Sequence, residues 1–196
     1  MLLVMTIHDL HALGEDRLRL IQEFVNTNDV EGGHDEVGRP VELRDWLVER
    51  GWADRSDEPD PAAHARALAV REGIRALGLA NNGEGLDEGA VAALNAAARA
   101  TPLVIAIGVE GGANGWTLVP GGTGIDGHVA RVLAALAASM ADGSFSRLKA
   151  CRNDTCRWLF HDRSRNRSGT WCSMAGCGSR MKARAYRARQ RASAPA

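Results

Sequence analysis

The chain has 196 residues, 24 Lys+Arg against 24 Asp+Glu, a formal net charge of zero and only 5% aromatics. That length suits one main hydrophobic core with a small appendage and excludes a large multidomain assembly. The best apolar run, Leu103 to Val109, spans seven residues, against the roughly 18 of a membrane helix, and Met1–Met5 has neither the basic lead nor the length of a secretory signal, so a cytoplasmic, membrane-free protein is expected.

In chain order, Leu18, Ile21, Val25 and Asn28 recur at helical spacing with Phe24 beside them, which predicts a helix over Glu15–Asn28 broken by Gly32 and Gly33. Pro40 opens a short helix that carries Trp46 and Leu47 and stops at Gly51. Ser56–Pro61 reads as a linker. Ala63, Ala67, Val70, Ile74 and Leu77 then share one face of a long helix over Ala62–Leu79, and after a turn at Asn81–Gly85 a further helix covers Leu86–Arg99, with Val91, Leu94 and Ala98 inward. Leu103–Gly108 and Trp116–Val119 predict a hairpin around the glycine-rich Glu110–Gly115. Helical spacing returns over Ile125–Met140, with Val129, Leu133, Leu136 and Met140 on one stripe.

Neutrality hides two opposed parts. Arg147 to Arg191 holds 13 Lys/Arg and two acids, Asp154 and Asp162, for a charge of +11, so the rest of the chain carries −11. The basic segment also holds all four cysteines, as two C-x4-C pairs, Cys151/Cys156 and Cys172/Cys177, with 15 residues between the pairs. It has too few large apolar residues to pack unaided. In a reducing compartment a metal is the expected support, and four converging thiolates suit tetrahedral zinc. With four protein ligands there is no open position, so zinc here would be structural. Disulfide or iron–sulfur use also fits four cysteines but has less support. His161 is placed outside the metal sphere.

The fold class expected is mainly α: a helical N-terminal domain with a small β-hairpin over residues 1–146, a small four-cysteine zinc-finger domain with a basic C-terminal helix over 147–191, and a disordered tail over 192–196.

The residues Cys151-Arg152-Asn153-Asp154-Thr155-Cys156-Arg157-Trp158-Leu159-Phe160, Asp162–Ser168 and Trp171-Cys172-Ser173-Met174 resemble the CGNR-type zinc finger. The motif that names that family reads Cys177-Gly178-Ser179-Arg180 here, with Ser in place of Asn. Phe24-Val25-Asn26-Thr27, Trp46, Arg71-Glu72 and Leu94-Asn95 resemble the helical ABATE domain that precedes the finger in that family. The resemblance covers nearly the whole chain and implies a stress-linked transcription regulator.

Basic residues in the finger point to nucleic acid. Arg180, Arg184, Arg187 and Arg191 fall on one face of a predicted helix that also carries Lys182 and Arg189, and Arg163, Arg165 and Arg167 form a second group in the loop between the cysteine pairs. A surface of this kind can neutralise several phosphates, and double-stranded DNA is the expected partner. The alternative is a zinc-stabilised module that grips an acidic protein, or the acidic N-terminal domain itself.

In that domain Asn26, Thr27, Arg71 and Asn95 are polar groups set near apolar stripes. They either satisfy one another internally or line a pocket for a small polar or anionic effector. Homodimerisation is expected by analogy with regulators that bind paired half-sites. No enzyme is expected: there is no G-x-S-x-G or H-E-x-x-H pattern, Gly121–Gly124 reads as a turn, and His34 as exposed.

Overall fold

The computed structural model describes residues 13–58, 60–107, 116–122 and 124–193. The predicted turn at Glu110–Gly115 and the tail residues 194–196 lie outside these. The helices are α1 (Leu13–Val25), α2 (Pro40–Glu49), α3 (Pro61–Asn81), α4 (Glu88–Ala100), α5 (Gly124–Ala141) and α6 (Ser179–Ala192). Three two-stranded antiparallel sheets accompany them among the described residues: β1 (Asn28–Asp29) with β2 (His34–Asp35), β3 (Leu103–Ile107) with β4 (Trp116–Pro120), and β5 (Leu148–Ala150) with β6 (Leu159–His161). The protein is mainly helical with small hairpins and a basic C-terminal helix, as expected. No described helix is long and apolar enough to cross a membrane.

Local chemistry sets the helix starts. Pro61 follows Asp60, whose carboxylate accepts the free amides of Ala62 and Ala63 at the head of α3. Asp87 does the same for Ala90 in α4. At α2, Pro40 occupies the first turn, and the Glu42 carboxylate reaches back to the Arg39 amide at 2.9 Å.

The core lies between α1, α3 and α5 and is filled by Ile21, Val25, Val70, Ile74, Val129 and Leu133. α1 and α5 run antiparallel, since Arg17 near the start of α1 pairs with Asp142 just past the end of α5 at 2.6 Å. α4 lies tight on α3 because Gly73 leaves room: a Cβ there would sit 2.5 Å from the Leu94 Cβ.

The structure corrects two local expectations and adds one element. α1 ends at Val25 rather than Asn28, because the Thr27 hydroxyl turns back to the Phe24 carbonyl at 2.8 Å and Asn28 enters β1 opposite Asp35. Met140, assigned to the inner stripe of α5, is exposed. The β5–β6 hairpin was not foreseen at all. It begins the basic segment, yet Leu148, Ala150 and Leu159 belong to the main core. Gly78 of α3 is the seat for it: a Cβ there would lie 2.5 Å from Leu159 Cδ1 and 3.1 Å from the Ala150 amide nitrogen.

Candidate metal centre and basic surface

A strand end and short turns place three of the cysteines. Cys151 follows β5, and its amide donates to the Trp158 carbonyl; Cys156 closes a turn in which its own amide donates to the Asn153 carbonyl. Cys177 sits in a short helical turn over Met174–Gly178, opened by Ser173, whose hydroxyl accepts the Gly176 amide at 3.1 Å. Gly178 is needed behind it, since a Cβ would stand 2.9 Å from the Met174 sulfur and 3.1 Å from the Trp171 ring.

The four Sγ atoms all lie within 4.8 Å of one another, and Cys156–Cys172 and Cys172–Cys177 are each 3.7 Å apart. A tetrahedron of thiolates about 2.3 Å from one zinc ion has edges of about 3.8 Å, so the constellation fits that ion. Trp158 and Trp171 pack against the sulfurs and shield them. His161 lies in β6 opposite Leu148, and the convergent group consists of the cysteines.

The sulfurs are not electrostatically alike. Burial pushes the Cys156 thiol up to about 12, and burial together with the neighbouring Cys151 and Cys156 pushes Cys172 up as well. Cys177 is drawn down to about 7: burial opposes this, but hydrogen bonds from Asn153 and Arg180 hold its thiolate. The Asn153 amide is 3.6 Å and the Arg180 guanidinium 3.2 Å from that sulfur. Thiolates this close repel one another, so a full set of them calls for a compensating charge between the sulfurs. Ser179, the departure from the family motif, closes the turn by donating to the Met174 carbonyl at 3.0 Å.

The finger is latched to the helical body by side chains that reach its backbone. Asn26 donates to the Leu159 carbonyl at 2.9 Å and accepts the Leu159 amide at 2.8 Å. Asn82 donates to the carbonyls of Ala150 and Thr170, both at 2.8 Å. Arg75 donates to the Arg157 carbonyl at 2.9 Å, and the Arg157 side chain meets Glu84 at 2.6 Å.

Thr27 and Arg71 join the same buried polar group. Arg71 forms a two-pronged pair with Asp35 at 2.7 and 2.8 Å, meets Glu72 at 2.8 Å and donates to the Thr27 hydroxyl at 3.3 Å. Asn26, Thr27 and Arg71 are thus brought together and satisfied by protein partners, whereas Asn95 stands exposed on α4. Glu72, Arg75 and Asn82 take part in these contacts as well; Glu72 stood only in the Arg71-Glu72 resemblance, Asn82 fell in a predicted turn, and Arg75 carried no sequence signal beyond being polar in a helix.

Of the basic residues, Arg163, Arg165 and Arg167 stand exposed on the loop after β6. The backbone of that loop is fixed from beneath. Buried Lys149 pairs with buried Asp162 at 2.8 Å and also donates to the Arg167 and Gly169 carbonyls, while Arg147 holds the carbonyls of Asp162 and Ser164. Burial raises the Asp162 carboxyl, but the Lys149 and Ser164 hydrogen bonds outweigh it and hold the group well below the usual carboxylate range.

α6 leaves the metal turn with no buried residue and is exposed from Lys182 onward. Arg180 forms a two-pronged pair with Glu31 in the β1–β2 turn, and Arg184 reaches Asp154 at 3.3 Å. Among the described residues no acid pairs with Lys182, Arg187, Arg189 or Arg191. At 100° per residue Lys182 and Arg189 lie opposite the Arg180–Arg191 face, so the outer helix is cationic on two sides.

Fold and site together define a four-cysteine metal-binding finger built onto a helical body. Residues 147–190 match the CGNR zinc finger, and residues 18–143 match the ABATE family, described as "Putative stress-induced transcription regulator". The chain belongs to this family of ABATE proteins with a CGNR zinc finger. A search of the curated proteins returned no match.

Proposed function

We propose that this protein is a cytoplasmic transcription regulator that binds double-stranded DNA through a surface organised by one zinc ion. The observation that carries the proposal is α6. This helix of 14 residues stands free of the core, is fastened at its base beside Cys177 and by Arg184 to Asp154, and carries basic residues on opposite sides with Ala between them. A helix of that width enters the major groove, where phosphates line both walls. Arg163 and Arg165, on a loop held rigid by Lys149 and Asp162, would add contacts to one strand. Zinc supplies the cross-link that orders the cysteine turns; Arg180 and Asn153 balance its thiolates, and the arginines of α6 meet the phosphates.

The test is anisotropy of the zinc-loaded protein on random duplex DNA at rising salt. A slope of log affinity on log salt of about −5 is expected, with roughly tenfold weaker binding in an Arg187→Glu/Arg191→Glu variant. No binding at low salt would defeat the reading. The acidic-partner alternative would then stand, favoured by the carboxylates that already meet Arg180 and Arg184.

A further inference from the structure

The cations of α6 occupy two of its sides, and the two sides between them differ in chemistry. At 100° per residue, Arg187 and Arg191 fall on one flank of the helix and Lys182 and Arg189 on the other. One gap between the flanks holds Met181, Ala185 and Ala188 and is turned toward the body. Met181 is half-buried while the rest of α6 is exposed, and on that side Arg184 reaches Asp154 and Arg180 reaches Glu31 and the Cys177 sulfur. The other gap holds Ala183, Tyr186 and Gln190 within about 60° of arc. It faces away from the body, and Tyr186 is 58% exposed. Tyr186 and Gln190, one turn apart, are the neutral hydrogen-bonding side chains of α6 beyond Ser179, whose hydroxyl is engaged by the Met174 carbonyl.

We infer that Ala183, Tyr186 and Gln190 are the base-reading strip of α6. They meet the floor of the major groove of duplex DNA, with Arg187 and Arg191 toward one phosphate wall and Lys182 and Arg189 toward the other. The inference rests on the DNA-binding reading above and adds where sequence is read. Phosphate contacts position a helix without reading sequence, so discrimination falls to groups that lie between the two cationic flanks. Of the two gaps, the inward one offers only methyl groups and a thioether and is closed by the body, whereas the outward one is open and polar. Its chemistry selects a base pair. The Gln190 amide can donate to adenine N7 and accept from adenine N6, and Ala183, two turns earlier, presents a methyl of the kind that packs on thymine. An A·T pair at Gln190 follows. The B-form major groove, about 12 Å wide, admits a helix, while the deep, narrow major groove of A-form RNA does not, so the ligand is duplex DNA.

The full zinc-loaded chain is used to select bound sequences from random duplex DNA, and anisotropy then compares the selected duplex with a shuffled one at the same salt. The wild type should enrich an adenine at one position. Gln190→Ala should lower the ratio of the two affinities about tenfold and erase that adenine from a repeated selection. Gln190→Glu, which can only accept, should move the position to cytosine. Both side chains are exposed, so helical circular dichroism should match the wild type in each variant. Arg187→Glu/Arg191→Glu should instead weaken both duplexes together and leave the ratio in place. Binding with no enriched sequence would overturn the inference while leaving the proposed function standing. So would a preference unchanged in Gln190→Ala and Tyr186→Ala, or an equal loss on both duplexes in those variants, which would make the strip a further set of phosphate contacts. No binding to any duplex at low salt would defeat the proposed function, and this inference with it.

Discussion

The two cysteine pairs occupy unequal halves of the finger. Cys151 and Cys156 extend from a hairpin whose Leu148, Ala150 and Leu159 lie in the main core, and whose backbone is held by Asn26, Asn82 and Arg75. Cys172 and Cys177 belong to a segment that adds nothing to that core. Beyond the cysteine cluster it is tied by Asn82 to the Thr170 carbonyl, by Lys149 to the Gly169 carbonyl, by Arg180 to exposed Glu31 and by Arg184 to exposed Asp154. One half is therefore held by core packing, and the other is the half that a bound metal would have to hold. A ligand count treats the four cysteines as equivalent, whereas the core packing beside the first pair would make it the platform onto which a bound ion draws the second.

The largest effect should come from breaking the metal link. Chelation or Cys172→Ser should release residues 172–192 and open α6 to trypsin, while β5–β6 and the helices keep their protection from hydrogen exchange. The lost stabilisation of that segment is on the order of 10 kcal/mol, as in small zinc fingers. If the whole chain melts together, the two halves are not distinct. Next in size is Lys149→Met, which leaves buried Asp162 without its cation and should cost about 3–5 kcal/mol of stability in urea unfolding. Asn26→Ala strips both backbone groups of Leu159 of their partner and should cost about 2–4 kcal/mol by the same measurement.

Acid sharpens the comparison further. The Asp162 carboxyl is held below its unfolded value, so its stabilising share is complete above about pH 4 and is lost as pH falls through the lower folded value. The stability gap between wild type and Asp162→Asn should therefore be constant near neutrality and close on acidification; a gap that widens would contradict this. The smallest effect is at the exposed pair. Glu31→Gln should leave melting unchanged yet raise DNA affinity about two- to fivefold, because Arg180 no longer has a competing carboxylate.

The parts legible in the sequence were those with local signals. Cysteine spacing gave the convergent ligands, Pro40 and the Gly51 stop gave α2, and apolar periodicity gave α3 and α5. What escaped depends on partners far apart in the chain. Nothing around Leu159 announces that its backbone meets Asn26, 133 residues earlier, or that Gly78 clears space for it. The β1–β2 ribbon has two residues in each strand, too few for any alternation to show. For Asn26, Thr27 and Arg71, polarity near an apolar stripe fits internal pairing and ligand binding equally, and only the positions of Asp35 and Leu159 show the partners they have.

The Asn26 amide meets Leu159 as a neighbouring strand would, one acceptor for its N–H and one donor for its C=O. A single side chain at the end of α1 thus imitates a residue of β-sheet. Asp offers no donor, Leu neither group, and Gln places its amide one methylene too far out, so the position tolerates almost no exchange. The order of synthesis adds a consequence. The body emerges first and holds this seat, together with those of Asn82 and Gly78, open to water until β6 arrives to fill them. The last quarter of the chain is then the piece that completes the first, and a nascent chain halted before Leu159 exposes a ready-made strand-binding notch to whatever chaperone or stray peptide reaches it sooner.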